Sequence, residues 1–173
     1  MKHIATFLTL FFVTLTAGNI ASVAQVSGDR YVGYYYPAPQ RIEVYCARVS
    51  PLADVDKKRR VGFIIGIKSG MTRQSYESPY AVFSKGGLAE KLLIISKRDG
   101  HLDTVYRARA LLADLSTSAR STPVFTKTGA AEELTFLDLI TMLGFRSVTL
   151  SDGNNFAHQV LLLQPENEKC KKM

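Results

Sequence analysis

The first two dozen residues most constrain what this chain can fold into, because they suit an exported leader better than a folded domain. Lys2 and His3 make a short basic start, Ile4 to Leu15 is almost wholly apolar, and Ala21-Ser22-Val23-Ala24 puts small residues where a signal peptidase reads them. A membrane-spanning helix needs about 20 apolar residues, whereas this run is about a dozen before Gly18 and Asn19 interrupt it. The reading is therefore a signal peptide over 1–24, cleaved before Gln25, and a secreted, periplasmic protein. Residues 25–165 then form a single domain, and 166–173 a flexible basic tail. No cysteine follows the small residues, so a lipid-anchored form is not expected.

What remains is long enough to bury a core without staples. Hydrophobic content of 46% and charged content of 21% exclude a disordered chain, which would need less apolar surface and more charge. The formal charge of +7 permits attraction to an acidic envelope protein or an anionic membrane surface. No basic–aromatic pattern of the kind that stacks bases is present, so nucleic acid is not an expected partner. An oxidising compartment would let Cys46 and Cys170 pair. The alternative is a buried Cys46 and a loose Cys170, and sequence spacing does not choose between them. Two cysteines without nearby Cys or His partners do not make a zinc site, and no cofactor is expected.

Apolar periodicity supplies the elements. Arg41 to Val49 alternates and predicts a strand, followed by a short polar turn of helix over Leu52 to Lys58. Val61 to Ile67 is a short apolar run between turn signals and predicts a second, buried strand, with one helical turn over Met71 to Ser75. Tyr80–Ser84 and Lys91–Ser96 predict a hairpin around Gly86-Gly87. A helix is expected from Asp103 to about Ser118, with Arg107, Arg109 and Asp114 facing water. A second starts at Thr135, with Asp138 completing a capping box and Gly144 ending it. Ser147–Leu150 and Phe156–Leu163 predict a closing hairpin around Asp152-Gly153. This order predicts an α+β fold: a mostly antiparallel sheet with two main helices on one face.

Four stretches are candidates for function. Gly62 to Met71 is glycine-rich, but its glycine and lysine spacing does not fit a P-loop, and packing glycines in a strand are the simpler account. Ser151, Asp152 and His158 are residue types of nucleophilic catalysis, in which His takes the hydroxyl proton and a carboxylate orients it. An Asp-Gly turn and a buried His explain the same residues. Tyr34, Tyr35 and Tyr36, beside Pro37 and Pro39, could form a rigid recognition edge or pack over the sheet. Lys57, Lys58, Arg59 and Arg60 could dock on an anionic surface or simply be a solvated loop.

Tyr34-Tyr35-Tyr36-Pro37, Arg60-Val61-Gly62-Phe63, Leu102 to Arg109, Leu143-Gly144-Phe145, Thr149 to Gly153 and Phe156 to Val160 together resemble a family of small secreted proteobacterial proteins. Its members are often labelled molybdopterin-guanine dinucleotide biosynthesis protein A. That label implies a GTP-dependent, magnesium-using nucleotidyltransferase acting on molybdopterin. The glycine-rich loop of such enzymes has only a partial echo, at Ile65 to Arg73, so the resemblance carries over no catalytic residue. The leading expectation is a non-enzymatic periplasmic accessory or binding protein, partner to an envelope complex. The alternatives are a small periplasmic hydrolase built on Asp152 and His158, and the nucleotidyltransferase that the label implies.

Overall fold

The computed structural model describes residues 36–74, 77–126 and 132–172; the predicted leader and Tyr34 and Tyr35 lie outside them. Five strands and four helices follow in the order β1 (Arg41–Cys46), α1 (Lys57–Gln74), β2 (Tyr80–Lys85), β3 (Lys91–Ser96), α2 (Val105–Arg120), α3 (Phe136–Met142), β4 (Ser147–Ser151), β5 (Ala157–Leu163) and α4 (Glu168–Lys171). The sheet order is β1-β5-β4-β3-β2.

Both predicted hairpins form: β2 pairs antiparallel with β3, and β4 with β5. The remaining two pairings, β1 with β5 and β3 with β4, are parallel, so the sheet is mixed rather than mostly antiparallel. The cause is the connection. The chain leaves β3, runs through α2 and α3, and returns as β4, and a crossover of that length delivers a parallel neighbour.

The largest departure is α1. Val61 to Ile67 is not a strand but the middle of an 18-residue helix. Arg60, Phe63, Ile64 and Ile67 are buried along it at helical spacing, while Gly62, Ile65 and Lys68 face outward. Asp56 starts it, accepting at Oδ1 from the Arg59 N–H at 2.7 Å. The short helix expected over 52–58 is instead a loop with a turn up to Asp56, with Lys57 and Lys58 opening α1; of the turn expected over 71–75, residues 71–74 belong to the end of α1 and Ser75 lies outside the described residues.

α2 starts at Val105, and its N-cap is Thr104, one residue after the expected Asp103; the Thr104 side chain accepts from the Arg107 N–H. α3 carries the anticipated capping box between Thr135 and Asp138. Phe63 and Ile67 of α1, Leu111 and Leu115 of α2, and Leu139 and Ile140 of α3 gather with Leu92, Ile94, Val148, Leu150 and Val160 of the strands in one core cluster. Phe63 meets Phe125 edge-on, with ring centroids 5.8 Å apart.

The tail is tied to the domain. Cys46, the last residue of β1, is disulfide-bonded to Cys170 in α4, with Cα atoms 5.5 Å apart. Asn167 caps that helical turn, and Ser50 donates to Glu166.

Candidate functional site

The strongest site is a groove of about 500 Å³ between β1, α2 and the start of α3. Strand alternation aims Glu43 and Tyr45 of β1 into it. Helical spacing brings Arg109, Ala113, Ser116 and Arg120 of α2 to its wall. Leu134, Phe136 and Val160 supply apolar lining, so the groove has an apolar centre with charged groups among its walls.

Each polar group has a defined role. Glu43 forms an ion pair with Arg109. Arg120 Nη2 donates to the Leu134 carbonyl at 2.7 Å, holding the loop before α3. Ser116 Oγ accepts from the Phe136 N–H at 3.1 Å and donates to the Leu112 carbonyl at 3.2 Å, so its hydroxyl is committed to structure. Tyr45 donates to Asp138 Oδ1 at 3.1 Å and lies 2.9 Å from Thr135 Oγ1. Burial, with the Asp138 carboxylate beside it, holds the phenol above its ordinary value of 10.0, so Tyr45 is a neutral hydrogen-bonding group near neutral pH.

Asp138 anchors this end of the groove. Its carboxylate is buried and accepts from Arg48 N, Nε and Nη2 and from Thr135 N and Oγ1. Burial alone would push the carboxyl up; the hydrogen bonds from Arg48 and Thr135 outweigh it and hold the group below its ordinary 3.8. It is a structural ion rather than an acid or base.

The sequence candidates are dispersed. Leu150 pairs with His158 and Ser151 with Ala157, so Ser151 and His158 point to opposite faces of the sheet. Ser151 Oγ donates to the Phe156 carbonyl at 2.7 Å and accepts from Gly153 N. Asp152 Oδ1 accepts the N–H groups of Asn154, Asn155 and Phe156, a turn-forming role. The catalytic set expected from the sequence is therefore not assembled. His158 is fully buried; its Nε2 lies 3.3 Å from Glu43 Oε2, but in a geometry that gives neither ring nitrogen a hydrogen bond.

Tyr36 is buried against Leu93 and Ala157, with Lys85 Nζ 4.9 Å from its ring centroid, and so packs over the sheet. The basic run is split by its helix. Lys57 and Lys58 are exposed, Arg59 pairs with Asp54, and Arg60 is buried, donating to the Leu88 and Leu143 carbonyls. Gly62 to Met71 lies within α1 and forms no phosphate-cradling turn.

Sequence reasoning missed Glu43, Tyr45, Ser116 and Phe136 as neighbours. The Arg109, Ala113, Ser116, Arg120 spacing was a readable signal for one helical face, but nothing local said that β1 would lie opposite it. Among the described residues no group of three or more His, Cys, Asp or Glu side chains could hold a metal ion, and no helix is long and apolar enough to cross a membrane. No family model, curated protein or solved structure matches the chain.

Proposed function

We propose that this is a non-enzymatic binding protein of the bacterial envelope, and that its ligand seats in the groove between β1, α2 and α3. The observation that carries the reading is the groove itself: one concavity with an apolar centre, to which several elements contribute polar groups. Its hydroxyls are engaged in structural hydrogen bonds, and none is paired with a general base. That composition suits holding a ligand rather than transforming one. Arg60 is withdrawn into the fold and Arg59 is paired with Asp54, so the basic cluster is a thin basis for membrane docking. An acidic partner protein accords better with the overall positive charge.

The test places a photo-crosslinking phenylalanine analogue at Ala113, on the groove wall, and at Ile65, exposed on α1 as a control. The full chain is expressed in a bacterial host, and the envelope fraction is irradiated. Specific adducts from position 113 and none from 65 are expected, on a protein recovered from the periplasm with Gln25 at its N-terminus. Equal labelling from both positions, or recovery from the cytosol at full mass, overturns the proposal.

A further inference from the structure

We infer that the groove's ligand is an extended segment of another polypeptide, which adds as a sixth strand along the free edge of β1. This rests on the groove being the binding site. β1 is the terminal strand of the sheet, so among the described residues no strand lies on its outer side. The Gln40 N–H donates to the Ala157 carbonyl of β5 at 3.0 Å. At the other end of the strand the Ala47 N–H donates to the Leu163 carbonyl at 2.9 Å, and the register that sets Cys46 opposite Leu163 turns the backbone groups of Arg41, Glu43 and Tyr45 toward β5 and leaves those of Ile42 and Val44 facing outward. A row of alternating donors and acceptors at this spacing is matched by another peptide backbone, not by a small molecule or a lipid headgroup.

The side chains say what kind of segment fits. Glu43 and Tyr45 point into the groove, so every second residue of an added strand would stand beside them on the same face, at the groove's outer side, with Val160 across β1 from it. These positions select apolar side chains. The intervening residues would lie beside Ile42, 60% exposed, and Val44, 41% exposed, apolar side chains that otherwise meet water at the sheet edge. β1 carries neither Pro nor Lys; its charged residues are Arg41, at its first position, and Glu43, which is paired with Arg109. Arg41 is exposed at the start of the strand, with no ion-pair partner among the described residues. An acidic residue of the segment is matched to it. The partner segment is thus extended, apolar and acidic at one end. The disulfide at Cys46 fixes the far end of the pairing edge by placing α4 beside it.

Two measurements test this. The photo-crosslinking analogue is placed at Ile42 and, separately, at Val44 of the full chain, and adducts are mapped by peptide mass spectrometry. The expected result is adducts on a single segment of a different protein, with the two crosslinked positions displaced by two residues, as strand register requires. In parallel, with the analogue at Ile42, Val44→Ala is compared with Val44→Pro; the first keeps the outward N–H and the second removes it. Adduct yield should fall about tenfold further in the proline variant, the loss expected for one backbone hydrogen bond and its strand geometry. Circular dichroism confirms that both variants are folded. Adducts to a second copy of this chain, to its own residues 25–35, or at unrelated positions of several proteins overturn strand addition. So does an equal yield from the alanine and proline variants. If position 113 still crosslinks in those cases, the groove remains the binding site; if position 113 is also silent, the proposed function fails as well.

Discussion

Asp138, at the third position of α3, holds the guanidinium and backbone N–H of Arg48, 90 residues earlier in the chain, with Arg48 Nη2 2.7 Å from Asp138 Oδ2. The contact joins the end of the edge strand to the helix that walls the groove. One carboxylate therefore completes the α3 cap, satisfies the chain after β1 and fixes the Tyr45 hydroxyl.

Removing that carboxylate should be costly. Asp138→Ala leaves Thr135 N and the Arg48 backbone unpaired and is expected to destabilise the protein by about 2–4 kcal/mol, a figure below that of a fully buried pair because Arg48 is half exposed. Asp138→Asn keeps one acceptor and should cost less. The pH dependence has a definite sign. The folded carboxyl is held below its unfolded value, so its contribution is complete above about pH 4 and is lost as pH falls through the lower folded value. Urea unfolding at neutral pH and on the acid side of pH 4 should show a steeper acid loss in the wild type than in Asp138→Asn; parallel losses would refute the assignment.

The capping box was legible because it is local: Thr135 and Asp138 are three residues apart, and their mutual bonding follows from helix geometry alone. The two hairpins were legible for the same reason, since their turns carry the glycines. α1 was misread although its signal was present. Val61 to Ile67 is dense in β-branched and apolar residues, which suggests a buried strand in a short window. Over a longer one, Arg60, Phe63, Ile64 and Ile67 fall on one helical face, with Gly62 and Gly70 elsewhere. The parallel pairing of β1 with β5 was beyond local pattern, because it joins the two ends of the domain. The groove depends on that pairing, so it was illegible too.

A pair of glycine substitutions tests the helical reading of α1 directly. Gly62 is exposed in the helix, and a Cβ there would meet nothing within 4 Å. Gly62→Ala should stabilise by about 0.5–1 kcal/mol. Gly144 differs. It follows α3 at φ +71°, with the Phe145 N–H on the Ile140 carbonyl and its own N–H on that of Thr141. A Cβ there would lie 2.9 Å from Arg60 Nη1 and 3.1 Å from Val55 Cγ1. Gly144→Ala should cost about 1–3 kcal/mol by chemical denaturation. A destabilising Gly62→Ala would argue for close packing at that position and against this helix.

The disulfide closes a loop spanning 124 residues between Cys46 and Cys170. In the chain-entropy account long loops gain most, so replacing both cysteines by serine should lower stability by about 2–5 kcal/mol. The expected readout is a lower Tm for the double variant, and a wild-type Tm that falls to the same value under reductant. A double variant as stable as the oxidised protein would mean that the cross-link does not form in solution.

His158 invites the opposite expectation. A buried imidazole is often indispensable because its nitrogens are satisfied by fixed partners, and its loss then strands them. Here neither nitrogen is hydrogen-bonded, and the ring lies beside Leu150 across the strand pair. The Glu43 carboxylate, 3.3 Å away, already has Arg109 as a partner. Replacing the ring by an apolar side chain of similar volume removes a polar group that gains little from its surroundings. His158→Leu should therefore change stability by less than about 1 kcal/mol and leave crosslinking from Ala113 intact. A loss of several kcal/mol would show that the Glu43 contact tightens in solution into a true hydrogen bond. A folded variant that no longer labels from Ala113 would instead place His158 in the binding machinery and reopen its role beneath the groove.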